Sequence, residues 1–177
     1  MKPKKAIDFT KIEWDAVDDS NLEFFFKEAV DYNDIVLNDI NNLNNKAFQL
    51  LTVMFPALSA ATGFLLTTWG KEGKEPIIIA LVVACMGLGL IVASLLLAVF
   101  PRNVYPGRIT PNIAFAGSLY KAKKAKLLAD GIASYSAYIA SNNGVLKYRS
   151  FFITAGAVGI FMVPLVTVAA FLICFLS

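Results

Sequence analysis

Residues 76–100 read PIIIALVVACMGLGLIVASLLLAVF, 25 positions without one Asp, Glu, Lys, Arg or His. A helix of about 20 apolar residues crosses the roughly 30 Å hydrocarbon core of a bilayer. Inside such a core each backbone amide must be satisfied within its own segment, so helix is the expected conformation. Two more runs share the pattern: Phe48 to Trp69, 22 residues, and Phe151 to Leu176, 26 residues, also carry no ionisable side chain. With 57% of the 177 residues hydrophobic, the composition fits a soluble bundle poorly. The predicted fold class is all-α, an integral-membrane helical bundle with three transmembrane helices. Four segments follow from it: a cytoplasmic N-terminal helical segment at 1–47, a transmembrane hairpin at 48–100, a basic cytoplasmic loop at 101–150 and the third transmembrane helix at 151–177.

Orientation follows from the basic residues. Fourteen of the sixteen Lys and Arg lie before Phe48 or between residues 101 and 150, and only Lys71 and Lys74 fall in the short loop between the first two runs. The positive-inside rule places the N-terminus and the long loop in the cytoplasm and the C-terminus outside, in a multi-pass membrane protein. Met1-Lys-Pro-Lys-Lys5 is followed by polar acidic sequence and not by an apolar core, so the first apolar run is expected to act as the insertion signal.

The polar segments have their own periodicity. Ser20-Asn-Leu-Glu23 has the spacing of a capping box. Apolar residues then recur at Leu22, Phe25, Ala29, Tyr32, Val36, Ile40, Leu43 and Ala47, which predicts one long helix from about Ser20 to Trp69. Asn41, Asn42, Asn44 and Asn45 sit where that helix meets the apolar run. They supply amides for an interface or form a weakly helical polar junction, and the sequence leaves both open. Gly70 to Pro76 reads as a tight hairpin, so the first two runs are antiparallel neighbours. A second cytoplasmic helix is predicted from about Ala114 to Ser141, with Tyr120, Leu128, Ile132, Tyr135 and Ile139 as its buried stripe. Gly131 weakens it, and Asn142-Asn-Gly144 is expected to break it. Residues 1–47 carry a net charge of −4 and residues 101–150 a net charge of +7, so the two helices are expected to pack stripe to stripe with opposite charges flanking the seam, unless Lys121, Lys123, Lys124 and Lys126 meet anionic lipid instead.

Small residues mark where helix backbones can approach closely in lipid: Ser59 and Gly63 in the first run, Gly87, Gly89 and Ala93 in the second, Gly156 and Gly159 in the third. Bundle packing and self-association both use such faces. Pro56 and Pro164 are candidate kinks. Cys85 and Cys174 lie within apolar runs and read as packing residues. The absence of histidine excludes His-based acid–base, nucleophilic and zinc chemistry. No phosphate-binding glycine loop or calcium-loop spacing is present, so neither enzymatic activity nor a cofactor or metal is expected. Transporters and proton relays commonly place ionisable groups within the membrane, which disfavours a coupled transporter. A pore made by self-association, lined by Ser59, Thr62, Thr67, Thr68 and Ser94, remains an alternative.

Three local patterns carry a family resemblance. Asp39-Ile-Asn-Asn-Leu-Asn-Asn-Lys-Ala-Phe-Gln-Leu-Leu51 precedes the first run, Phe100-Pro-Arg102 and a Pro/Gly-rich stretch follow the second, and Lys147-Tyr-Arg-Ser-Phe151 precedes the third. The layout over residues 20–177 resembles the small membrane effectors of bacterial anti-phage signalling, the Pycsar transmembrane effectors and related SLATT-type proteins. That resemblance implies an anti-phage effector in abortive infection, responding to a nucleotide second messenger by oligomeric disruption of the inner membrane. On the cytoplasmic face Arg102, Arg108, Lys121, Lys124, Lys147 and Arg149 are candidate phosphate ligands, and Tyr135, with Tyr105, Tyr120 and Tyr138, a candidate base-stacking partner. The expected partners are the lipid bilayer, further copies of the chain and a cyclic nucleotide or cytoplasmic protein, but no nucleic acid polymer. The alternative functions are a scaffolding membrane protein that recruits a cytoplasmic partner and a small ion channel.

Overall fold

The computed structural model describes residues 17–107 and 123–176. Among them the chain forms three helices, α1 (Asp19–Thr68), α2 (Glu75–Val99) and α3 (Lys124–Leu176). Each is long and apolar enough to cross a membrane. The chain divides into two compact units, one from residues 1–38 and 103–144, the other from residues 39–102 and 145–177. We call them the polar and the apolar unit. These divisions fall elsewhere than the four sequence segments, because each unit takes part of α1 and part of α3.

α1 begins two residues earlier than the capping box implies, and both box residues are engaged elsewhere. The Asp18 carbonyl accepts from the Asn21 and Leu22 amides, each at 3.0 Å. The Ser20 hydroxyl donates to the Asp18 carboxylate and Glu23 pairs with Lys124. The helix then continues through Pro56 to Thr68. A six-residue connection, 69–74, follows, in which Gly70 and Gly73 adopt φ of 77° and 69°, a left-handed backbone that glycine enters without a Cβ penalty. Pro76 occupies the first turn of α2, where its missing amide hydrogen is no loss.

The second cytoplasmic helix expected to stop at Ser141 does not stop. α3 runs without interruption from Lys124 through Asn142-Asn-Gly144 to Leu176. Asn142 is fully buried and hydrogen-bonded, so tertiary contacts override a local sequence that favours a turn. Gly131, another apparent weakness, is a packing position. A Cβ there would stand 2.6 Å from the Phe26 ring.

The core of the apolar unit is Leu51, Ile91, Val92 and Leu95, flanked by Met54, Leu58, Leu88, Ile160 and Val163. Three of the predicted small residues make its close contacts. A Cβ on Gly87 would come 2.5 Å from Val163, one on Gly159 2.7 Å from Ile91, and one on Gly156 3.0 Å from Leu95. A Cβ at Gly63 or Gly89 would meet nothing within 4 Å, and Ser59 and Ala93 are exposed. The hydroxyls along α1 are satisfied locally: Ser59 donates to the Phe55 carbonyl at 2.9 Å, Thr62 to Leu58 at 2.8 Å and Thr68 to Phe64 at 2.8 Å.

This division among the glycines is measurable. Gly159→Val is expected to destabilise the protein by about 1–3 kcal/mol, because its branched carbon must displace the buried Ile91 side chain. Gly63→Ala and Gly89→Ala should leave stability unchanged or raise it by up to about 1 kcal/mol through helix propensity. Thermal unfolding of the detergent-purified variants distinguishes the two groups.

Candidate functional site

Within the polar unit α1 and α3 run in the same direction, and their seam is built around amides. Asn33 and Asn142 are both 0% exposed. The Asn142 Nδ2 donates to Asn33 Oδ1 and to the Tyr105 carbonyl, each at 2.9 Å, while its Oδ1 accepts from the Tyr105 amide at 3.0 Å. Asn33 Nδ2 donates to the carbonyls of Pro106 at 3.3 Å and Tyr105 at 3.5 Å. Two side-chain amides thereby hold the segment that follows α2 against both helices.

Aromatic rings surround this clasp. Tyr105 lies parallel to Tyr138, with ring centroids 5.6 Å apart and planes at 7°. Tyr135 meets Tyr138 and Phe26 edge-on at 6.0 and 5.6 Å. Gly107, at φ 72°, passes so close to the Tyr135 ring that no side chain fits. At the start of α3 Lys124 pairs with Glu23, whose hydrogen bond and charge raise the lysine pKa. A raised lysine pKa contributes stability that is complete below the unfolded value and is lost as pH rises through the folded one. Both groups are well exposed, so the contribution is small at neutral pH.

A second cluster lies in the apolar unit, where α2 ends and the last run of α3 begins. The Arg102 guanidinium sits 3.4 Å from the centroid of the Tyr148 ring. The neighbouring Arg149 is 6% exposed and donates to the Ile40 carbonyl through Nη1 at 3.4 Å, while its buried Nε has no partner. Burial lowers the Arg149 pKa, and the charge of Arg102 lowers it further. An apolar cavity of about 440 Å³, lined among others by Met54, Leu88, Ile91, Val163 and Pro164, also belongs to this unit, and the Thr167 hydroxyl on its wall is buried without a hydrogen bond.

The described candidate ligand residues are divided between the two units. Lys124 and Tyr135 belong to the polar unit, and Arg102, Lys147 and Arg149 to the apolar unit. Arg108 and Lys121 lie outside the described residues. Lys147 is exposed, and Tyr135 is buried among the aromatic rings. Of the four asparagines at 41–45, Asn44 is half-buried with an unpaired side-chain oxygen, and the other three are exposed. Among the described residues no group of three Cys, Asp or Glu is placed to hold a metal ion.

The α1 stripe shows what the periodicity missed. Phe25 and Tyr32 are more than half exposed, and Asn33 takes the interior position next to Tyr32. A hydrophobic pattern cannot register an asparagine as core. The available signal was spacing alone, since Leu22, Phe26, Asn33, Val36 and Ile40 continue one face. No protein-family model matches the chain, and no curated protein or solved structure is significantly similar to it.

Asn142→Ala is expected to leave the Tyr105 amide and Asn33 Oδ1 buried without partners, at a cost of about 2–3 kcal/mol. The measurement is a lower unfolding temperature together with lost hydrogen-exchange protection at the Tyr105 amide.

Proposed function

We propose that the chain is a non-enzymatic effector of the bacterial inner membrane, with its N-terminus and polar unit in the cytoplasm and its C-terminus outside. In this reading an infection signal, of the cyclic-nucleotide class in the resembled anti-phage effectors, reaches the polar unit and the chain self-associates to permeabilise the bilayer. The observation that carries the membrane part is the surface of the apolar unit. Phe64, Leu66, Leu90, Phe161 and Leu165 are all exposed, and the helices that bear them hold no charge through their apolar runs. Such a surface is stable against hydrocarbon and not against water. The effector part is supported by the family resemblance and by a folded polar unit with its own buried amides and rings, a suitable receiver for a signal.

One observation favours a second reading. In the polar unit Phe24, Phe25, Tyr32 and Ile35 of α1 are between 51% and 58% exposed, an apolar face on otherwise charged sequence. A scaffold that recruits a cytoplasmic protein would use such a face.

Membrane potential separates the two readings. Cells producing the effector are expected to keep a normal potential until phage infection or delivery of a cyclic nucleotide, and then to depolarise. An unchanged potential under each of these triggers, with a soluble protein co-purifying in constant ratio and lost in Phe25→Ser, assigns the scaffold.

A further inference from the structure

Arg149 is a buried cation without a counter-ion among the described residues. The residue is 94% removed from solvent, its Nε has no partner, and its one hydrogen bond among the described residues is a long one to a neutral carbonyl. Beside it stands a second positive charge, Arg102, held over the Tyr148 ring. Among the described residues no carboxylate pairs with either arginine. Asp39, the one acid that α1 contributes to this unit, is exposed and forms no ion pair among the described residues. The carbonyls at the end of α2 offer Arg102 partial negative charge, since that helix ends at Val99. Arg149 has no such compensation. The unpaired Asn44 oxygen, one turn beyond Ile40 on α1, adds polarity to the unit but no charge.

Leaving a desolvated guanidinium unpaired is costly, and a like charge nearby raises that cost. A single anion would offset both terms. Guanidinium groups match the oxygens of phosphate in number and geometry, each offering several N–H donors in a planar fork. The cluster also sits at the polar ends of two long apolar runs, Pro76 to Phe100 and Phe151 to Leu176, the level at which phospholipid phosphates lie on the membrane reading. We infer that Arg102 and Arg149 form a site for a phosphate group, carried by an anionic phospholipid headgroup. Arg149 supplies the fixed, desolvated half of this site and Arg102 the exposed half. Tyr148 holds Arg102 in place by cation–π contact. The lipid source rests on the membrane reading proposed above, whereas the phosphate chemistry does not.

The test uses the full chain with two phosphate sources. Flotation with neutral phosphatidylcholine vesicles first establishes insertion independently of the site, and failure at this step removes the membrane reading alone. Native mass spectrometry then compares retention of phosphatidylglycerol and phosphatidylcholine, while thermal shift is recorded with inorganic phosphate and with a cyclic mononucleotide. Phosphatidylglycerol is expected to be retained about tenfold more tightly than phosphatidylcholine. Arg102→Gln and Arg149→Gln should each abolish the preference, and Lys147→Gln, at an exposed lysine nearby in sequence, should keep it. If Arg149→Gln does not fold, Arg102→Gln decides, since its side chain is exposed. Stabilisation by soluble phosphate or nucleotide that depends on both arginines, without a lipid preference, keeps the phosphate site and overturns its assignment to lipid. Equal retention of the two lipids with no phosphate response overturns the site, as does a preference that survives both arginine variants.

Discussion

Two side-chain amides with no exposure must find every hydrogen-bond partner inside the protein, and the polar unit is organised by how Asn33 and Asn142 do so. Both Nδ2 hydrogens of Asn142 have acceptors, its oxygen has the Tyr105 amide, and the Asn33 amide reaches two carbonyls of the segment after α2. A shift of either helix by one residue would bury these groups unpaired, so the pair selects one register from the many that apolar side chains would tolerate. Tyr105 is fixed by the same bonds, and its ring then determines where Tyr138 can stack. Gly107 and Gly131 complete this packing by yielding space to the Tyr135 and Phe26 rings.

The apolar unit relies on a different force. Where the surrounding medium is as apolar as the side chains, transfer from solvent contributes little and close packing has to hold helices together. Gly87, Gly156 and Gly159 bring backbones near enough for Val163, Leu95 and Ile91 to make that contact. The hydroxyls of Ser59, Thr62 and Thr68 are compatible with the same medium because each donates to a carbonyl on its own helix. Thr167 departs from this arrangement. It follows Pro164 by three residues, lies on the wall of the cavity and has no partner for its hydroxyl.

The three helices were legible because their signal is long and redundant: no charge over more than 20 residues outweighs any single glycine or proline. The fate of Asn142-Asn-Gly144 was not legible, since a turn sequence and a buried clasp look alike until the partner at residue 33 is known. Register failed for the same reason. Phe25 and Tyr32 fit the period as well as their neighbours Phe26 and Asn33, and only the opposing rings and amides decide between them. Among the candidate ligand residues, residue type identified cations near the ends of the apolar runs but not their surroundings. Arg149 is buried whereas Lys147, two positions away, is exposed, a difference that comes from the direction in which each leaves the helix.

On the proposed effector reading, these packing rules constrain how the chain would breach a bilayer. A polar conduit through one chain would need unpaired donors or charges along a helix face, yet the apolar runs contain no charge and the α1 hydroxyl hydrogens are already bonded. Permeability would therefore arise from rearrangement between chains and not from a pore built into one of them. Gly63 and Gly89, with nothing against them in the single chain, keep two close-approach positions open, and the apolar cavity of about 440 Å³ leaves room for helices to repack. A trigger would then act most economically on the polar unit. Loosening the Asn33–Asn142 pair there would remove the side-chain hydrogen bonds that hold the segment after α2 to both helices of that unit.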